Sequence, residues 1–338
     1  MIGRKLTYPG SSPASGGMAG MSPRLGVRHV PRALSVGLHI PSNAVKRLLI
    51  FYRKVNRNLK SEIASFRLGG LQNIPHASDR GRAYMKVKVL GCSGARFPNH
   101  HFSSFLIDGK ILLDAGSIAG VLGEKDQLKI KNIFITHAHL DHINGIPFLA
   151  DNILIGNKEG RVDVFSIPPV IKAIKESLLN DVVWPDFTKI PRGLGSILRL
   201  NKLKPGEPIR VDGYCIIPFE VNHAVPAVGY LVETPKKRRL FYSGDTGPTS
   251  KTWKEIAVKI DCLILDVTFP NKMAKRAMRT GHLTPRLLRM ELSKMENMPE
   301  RIYVTHAKPQ YSETIASELK RLRINHLRLL KDGESIEL

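Results

Sequence analysis

The stretch Thr136-His137-Ala138-His139-Leu140-Asp141-His142 directly follows the apolar run Ile133-Phe134-Ile135. A short apolar run that ends in polar residues reads as a strand emptying into a loop. Three imidazoles and a carboxylate within the six positions 137–142 make a donor set for divalent ions. His137 and His139 are two apart, so one tight turn aims both at one ion. Asp141 and His142 lie on the other side and suit a second. For this stretch alone, a polar, solvated turn is the competing reading.

The composition sets bounds. At 338 residues the chain has length for one large domain or two ordinary ones. Its formal net charge is +23 and its sequence pI is about 10.1, which points to polyanionic partners or substrates once the charge is located. That charge is uneven. Residues 1–84 hold 14 Lys/Arg against Glu62 and Asp79, whereas residues 85–338 hold 38 against 27 acids. Cys92, Cys215 and Cys262 stand far apart without CxxC spacing, which argues for a reduced, cytoplasmic compartment and against cysteine-held zinc. No run of about 18 apolar residues is present, so no membrane span is expected.

The first 61 residues contain no Asp or Glu and are rich in Gly, Ser, Pro and Arg. They suit an organellar transit segment, a basic arm for nucleic acid or acidic lipid, or upstream residues not made in the cell. Residues 1–84 are therefore read as a basic, disordered or non-catalytic extension, with Ala44–Lys60 as a short basic helix inside it. Residues 85–338 form the second unit, because Met85 opens the strand pattern Lys86-Val87-Lys88-Val89-Leu90. Strands are expected at 86–90, 103–107, 111–113, 132–135, 161–165, 214–219, 228–233, 239–243, 262–266 and 301–304. Helices are expected near 168–180, 285–296 and 312–323, the last two capped by Thr284 and Ser312. The tail, 326–330 and 335–338 around Asp332-Gly333, reads as a closing hairpin.

Further polar residues close strand-like runs: Asp114 after Ile111-Leu112-Leu113, His223 after Phe219–Asn222, Asp245 in Ser243-Gly244-Asp245-Thr246, and His306 after Ile302–Thr305. Ligands on strand ends have rigid supports and open loops around them. These motifs, in this order, resemble the metallo-β-lactamase superfamily across residues 85–338. The resemblance implies an α/β (α+β) fold, a four-layer αβ/βα sandwich with a dinuclear site at the sheet edge. It implies one ion on His137, His139 and His223, a second on Asp141, His142 and His306, and Asp245 bridging them. Asp114 would support the ligand loop without binding metal. The two divalent ions are expected to be Zn²⁺, with Mn²⁺ or Fe²⁺ as alternatives, since His/Asp sites accept any of these by availability.

Two such ions bring a shared water close to neutral pKa and clamp the oxygens of a phosphoryl transition state, which makes hydrolysis through a metal-bridging hydroxide the expected reaction. Asp141, Asp266 and His282 are the candidate catalytic residues. Asp266-Val267-Thr268 and Gly281-His282-Leu283-Thr284 resemble the acidic-x-Thr and Gly-His-x-Thr elements of the superfamily's phosphodiesterases, where the carboxylate orients an imidazole that protonates the leaving alcohol. The plain reading of His282 is a residue prefacing the Thr284 cap. Ser93 and Gly94 are candidate substrate contacts through backbone N–H groups, Trp184 is a candidate base-stacking residue or a packing one, and His100-His101 would line the mouth or a solvated loop.

Two branches compete. Class II cyclic-nucleotide phosphodiesterases share His-x-His-Leu-Asp-His and the Lys of His306-Ala307-Lys308, but residues 143–147 depart from the yeast-type stretch. Ribonuclease Z shares the acid elements and suits the basic charge. It normally carries a tRNA-binding arm between positions matching His223 and Asp245, which here are 22 apart, and has Gly where this chain has Leu140. The expectation is a 3′,5′-cyclic-nucleotide phosphodiesterase acting on a small nucleotide diester. The alternatives are a ribonuclease Z-like tRNA 3′-processing nuclease with RNA as partner, and a metal-bearing nucleotide sensor without turnover. A homodimer is among the expected assemblies.

Overall fold

In the computed structural model, residues 84–156, 159–191 and 195–338 are described; the basic extension and the helix expected at Ala44–Lys60 lie outside them. The strands are β1 (Lys86–Gly91), β2 (Ser104–Ile107), β3 (Ile111–Leu113), β4 (Asn132–Phe134), β5 (Val162–Ser166) and β6 (Leu198–Lys202). Next come β7 (Ile209–Val211), β8 (Tyr214–Glu220), β9 (Val228–Glu233), β10 (Arg239–Tyr242), β11 (Cys262–Asp266), β12 (Arg301–Thr305), β13 (Leu327–Leu329) and β14 (Ser335–Glu337). They form two seven-stranded sheets, ordered β14-β1-β2-β3-β4-β5-β6 and β13-β12-β11-β10-β9-β8-β7. Within them β3 to β6 run parallel, as do β10 to β13.

Alternation along the second sheet feeds two cores. Tyr230, Val232, Leu240, Tyr242, Ile264 and Tyr303 meet the first sheet, while Leu231, Phe241, Leu263, Leu265, Ile302 and Val304 turn to the helices outside. A sheet covered on both faces needs near-continuous apolar strands, and Cys262-Leu263-Ile264-Leu265 is one. Rings bind the sheets together: Phe105 lies 4.8 Å from Tyr242 and Phe134 lies 5.5 Å from Tyr230. Helices α1 (Glu124–Gln127), α2 (Leu140–Ile143), α3 (Gly145–Gly156) and α4 (Pro168–Ala173) follow strands of the first sheet. Helices α5 (Lys251–Glu255), α6 (Ala274–Arg279), α7 (Pro285–Leu292) and α8 (Ser312–Arg321) cover the second, through Trp253, Ala277, Leu288 and Ile315. The layers run helix, sheet, sheet, helix. No helix among the described residues is long and apolar enough to cross a membrane.

The structure corrects four local expectations. The tail is no hairpin: β13 pairs parallel with β12 while β14 pairs antiparallel with β1, so the Asp332-Gly333 turn carries the chain from one sheet to the other. Thr284 caps α7 by accepting from Leu287 N–H, but Ser312 is the first residue of α8, its hydroxyl donating to Pro309 O at 2.9 Å. The helix expected to end near 296 stops at Leu292. The one expected at 168–180 is α4 continued by a π-helical turn, Ile174–Leu178.

That turn anchors the Trp184-Pro185-Asp186-Phe187 loop. Lys175 Nζ donates to Asp186 Oδ2 at 2.7 Å, Lys189 Nζ lies 2.8 Å from the same oxygen, and Thr188 Oγ1 donates to Oδ1 at 2.5 Å. Burial disfavours the Asp186 carboxylate, but the two lysines and Thr188 outweigh it and hold the acid well below the usual carboxylate range. A depressed acid stabilises the fold above its unfolded pKa of about 4, and that contribution fades as pH falls through the folded value. Asp186→Asn should therefore lower stability at pH 7, with the gap from the parent shrinking below about pH 4. Urea titrations at both pH values check this; a gap independent of pH would show that the charge is irrelevant.

Candidate metal centre

Every predicted ligand stands at the same edge of the sandwich, where β3, β4, β8, β10 and β12 end. From the first sheet come Asp114, just past β3, and the 137–142 loop, whose second half is α2. From the second come His223, Asp245 and His306. Asp114 and His306 have left-handed backbones, φ 57° and 66°, so the chain turns sharply at both. Gly244, φ 59°, admits no Cβ, because Thr136 Cβ would lie 2.7 Å away.

The donor atoms converge in two sets, His137, His139, His223 with Asp245, and Asp141, His142 with His306. His137 Nε2 lies 3.0 Å from His139 Nδ1, which lies 3.3 Å from His223 Nε2. His306 Nε2 lies 3.3 Å from Asp141 Oδ2. Asp245 sits between the sets. Its Oδ2 is 3.6 Å from His137 Nε2, 4.0 Å from His223 Nε2 and 3.4 Å from His306 Nε2, and its Oδ1 is 3.4 Å from His142 Nε2.

Four of the five imidazoles are held by the nitrogen that faces away. His137 Nδ1 lies 3.0 Å from Thr136 Oγ1, His142 Nδ1 2.7 Å from Asp114 Oδ2, His223 Nδ1 2.9 Å from Gly281 O and His306 Nδ1 2.8 Å from Thr268 Oγ1. Such bonds fix the tautomer and leave Nε2 as a lone-pair donor. His142 Nε2 and Asp245 Oδ1 are buried without a hydrogen-bond partner. Orphaned polar atoms of this kind are costly, and their pairing inside a ring of lone pairs fits a divalent cation. Burial opposes ionisation of Asp245, but the His306 and His142 imidazoles outweigh it and hold the acid well below its usual range. Burial first, and then the neighbouring His142, His223 and His139 imidazoles, drive His137 well below its usual value against the pull of Asp245.

A family model described as "Beta-lactamase superfamily domain" matches residues 110–307. The chain belongs to this superfamily. Ribonuclease Z of Archaeoglobus fulgidus is 24% identical over 262 residues, covering 62% of this chain and 81% of that one. The 3′,5′-cyclic-nucleotide phosphodiesterase of Aliivibrio fischeri is 27% identical over 259 residues, covering 62% and 75%. The crystal structure of unliganded yeast PDE1 superposes with a TM-score of 0.64 at 20% identity, covering 75% of this chain and 99% of that one. That likeness bears out the metallo-β-lactamase sandwich. The family match, together with the His/Asp clusters, marks this edge as a candidate divalent-metal site.

Beside the two clusters, Asp266 and His282 come together as expected: His282 Nδ1 lies 2.8 Å from Asp266 Oδ2, and its ring stacks 5.3 Å from that of His306. Burial works against a charged His282, but the Asp266 carboxylate more than offsets it and raises the imidazole above its ordinary pKa. Asp114 is buried and accepts from Thr136 N–H, Thr136 Oγ1 and Tyr242 OH as well as from His142. The Ser93–Gly94 loop departs from its expected use. Cys92 N–H donates to Asp332 Oδ1, Ser93 N–H to His101 O and Gly94 N–H to Ala307 O, so these amides are already engaged. Gly94 instead permits a close approach, since a Cβ there would lie 2.9 Å from the His306 ring. His101 is bonded to Asp332 and His100 Nδ1 lies 3.4 Å from Ser93 Oγ. Trp184 packs on Phe148 at 5.1 Å, with no ring or hydrogen-bond contact to the cluster among the described residues.

Sequence reasoning missed Tyr242 and the detailed role of Thr268. The Thr268 hydroxyl donates to Asp266 Oδ1 at 2.5 Å and lies 2.8 Å from His306 Nδ1 and 3.0 Å from His282 Nδ1. One side chain thus orients a candidate ligand and a candidate acid. Thr268→Val keeps the shape and removes the acceptor, and should weaken metal affinity about 10–100-fold in chelator competition. Thr268→Ser should bind like the parent. Equal affinity in all three would refute this orienting role.

Proposed function

We propose that the protein is a metal-dependent phosphodiester hydrolase whose substrate is a 3′,5′-cyclic nucleotide. The observation that carries this is the buried Asp266–His282 pair stacked against His306, a proton donor set beside the ligand cluster. His137, His139 and His223 would hold one divalent ion, Asp141, His142 and His306 a second, with Asp245 shared; zinc suits this donor set. Bound there, such ions supply a nucleophile at neutral pH and neutralise charge on the phosphoryl oxygens.

The chain's own residues do the rest. Asp114 and Thr268 hold His142 and His306 so that their Nε2 atoms face the cluster. Asp266 accepts a hydrogen bond from His282 Nδ1–H, and the His282 side chain, 12% exposed, keeps its Nε2 edge for the leaving alcohol. An alkoxide leaves poorly unless protonated, and a placed acid contributes about 10²–10⁴ in rate. Lys308 Nζ reaches the Gly94 carbonyl and lies near enough to His282 to bear on its charge. A small substrate is supported by the link between His223 and Asp245, which is only β9, a turn and β10. The ribonuclease Z-like reading is favoured by one observation, the net positive charge of the described region, and turnover of a precursor tRNA discriminates it.

His282→Ala should slow hydrolysis of cyclic AMP or cyclic GMP about 100-fold or more, yet barely change a diester with a p-nitrophenolate leaving group. Asp266→Asn should show a milder form of the same pattern. Losses of equal size on both substrates would mean that His282 acts through binding or folding. Elemental analysis should return two metals per chain, falling in Asp245→Ala. One metal per chain, unchanged by that substitution, would remove the bridging role.

A further inference from the structure

From Val267 to Met290 the chain holds Lys272, Lys275, Arg276, Arg279, Arg286 and Arg289 and no Asp or Glu. All six are exposed, and none forms an ion pair among the described residues. Elsewhere on the surface, bases commonly face acids, as in Arg199 with Asp163, Lys251 with Glu220, Lys259 with Glu300 and Arg328 with Glu334. Unneutralised like charges repel one another and weaken a compact fold. A face that keeps six of them invites a polyanion.

Its position is tied to the candidate site. α6 ends on Thr280-Gly281-His282, and Gly281 O accepts from His223 Nδ1–H. The Arg276 guanidinium lies 5.6 Å from the centroid of the Phe269 ring, which lies 5.9 Å from the His282 ring. Arg286 N–H donates to Asn271 Oδ1 at 2.7 Å, which joins the Lys272 turn to the first turn of α7. A carboxylate that reaches this ground is that of Glu318, and it accepts from Asn271 N–H at 2.8 Å.

We propose that the α6–α7 face binds a single-stranded polynucleotide laid beside the candidate site. A cyclic mononucleotide carries a single negative charge, so six cations on two helices and the turn before them address several successive phosphates. The exposed Arg276 guanidinium, held over the buried Phe269 ring, adds a planar surface on which any base can stack. A strand suits the face better than an acidic membrane does. The outward side is mostly basic, with Met278 and Met290 as its exposed large apolar residues, and the neighbouring chemistry is that of phosphodiesters. The inference goes beyond the cyclic-nucleotide reading and stands whether or not the strand is cut.

The test uses the full chain and a fluorescein-labelled oligouridylate, followed by anisotropy across a salt series. The variant Lys275→Glu/Arg279→Glu/Arg286→Glu/Arg289→Glu should bind about tenfold or more weakly and show a shallower salt dependence, the slope for single strands being about 0.7 per phosphate contact. A second variant, Lys125→Glu/Lys172→Glu/Lys204→Glu/Lys236→Glu, changes net charge equally at exposed positions outside this segment and should lose far less. Circular dichroism and the thermal midpoint establish that both are folded. Equal losses in the two would assign binding to net charge alone and overturn the proposal. So would a selective loss on phosphatidylserine–phosphatidylcholine vesicles with oligouridylate binding intact, which would make the face a membrane contact.

Discussion

The carboxylate of Asp114 is the constraint on which the rest turns. It has no solvent exposure and receives Thr136 N–H and Oγ1–H, His142 Nδ1–H and the hydroxyl of Tyr242. A charge buried so deeply is tolerated only when donors surround it. Those donors come from both sheets, because Asp114 and Thr136 follow β3 and β4 while Tyr242 ends β10. The same group therefore joins the two layers, shapes the start of the ligand loop and aims His142. Withdrawing it would leave Tyr242 and His142 with unmet polar atoms in the buried interior.

The candidate ligand set was legible in the sequence because its members lie in loops that follow apolar strands, and strand ends of two packed sheets meet along one edge. The parallel strands β3, β4, β5, β10, β11 and β12 were legible for a related reason, since burial on both faces leaves runs such as Cys262–Leu265, whereas parallel β6, with only Leu198 buried, was missed. Short edge strands were harder. β7 was missed although Asp212-Gly213, with φ of 48° and 83°, is a strong turn signal, because Ile209–Val211 is only half buried. α3 was missed because it opens with Gly145 and carries Pro147 in its first turn, where an absent N–H costs little. The tail was misread because three-residue strands have no local preference for a partner; only the position of the two sheets decides which edge each extends. Thr268 shows the limit most plainly, since its three partners are 2, 14 and 38 residues away.

The first loop behaves as scaffold rather than as cradle. Asp332, in the crossing between the sheets, accepts from Cys92 N–H and from His101 N–H, and His306 N–H donates to Cys92 O at 2.7 Å. The turn that looked like a hairpin tip is thus a clamp that fixes the loop against His306. Polar character near a catalytic edge is weak evidence of substrate contact when the backbone groups already have partners within the fold.

Asp114 and His306 share one further property. Neither is glycine, yet both hold a left-handed backbone, a conformation that costs of order 1 kcal/mol or more for such residues. Glycine would relieve the backbone at both positions, yet at 114 it would delete the carboxylate that joins the two layers, and at 306 the imidazole that faces Asp141 and Asp245. Local strain is thus kept in exchange for side-chain contacts that glycine cannot make. Consensus stabilisation of this protein would therefore do well to leave 114 and 306 untouched: the substitutions most attractive to the backbone are those that would dismantle the site.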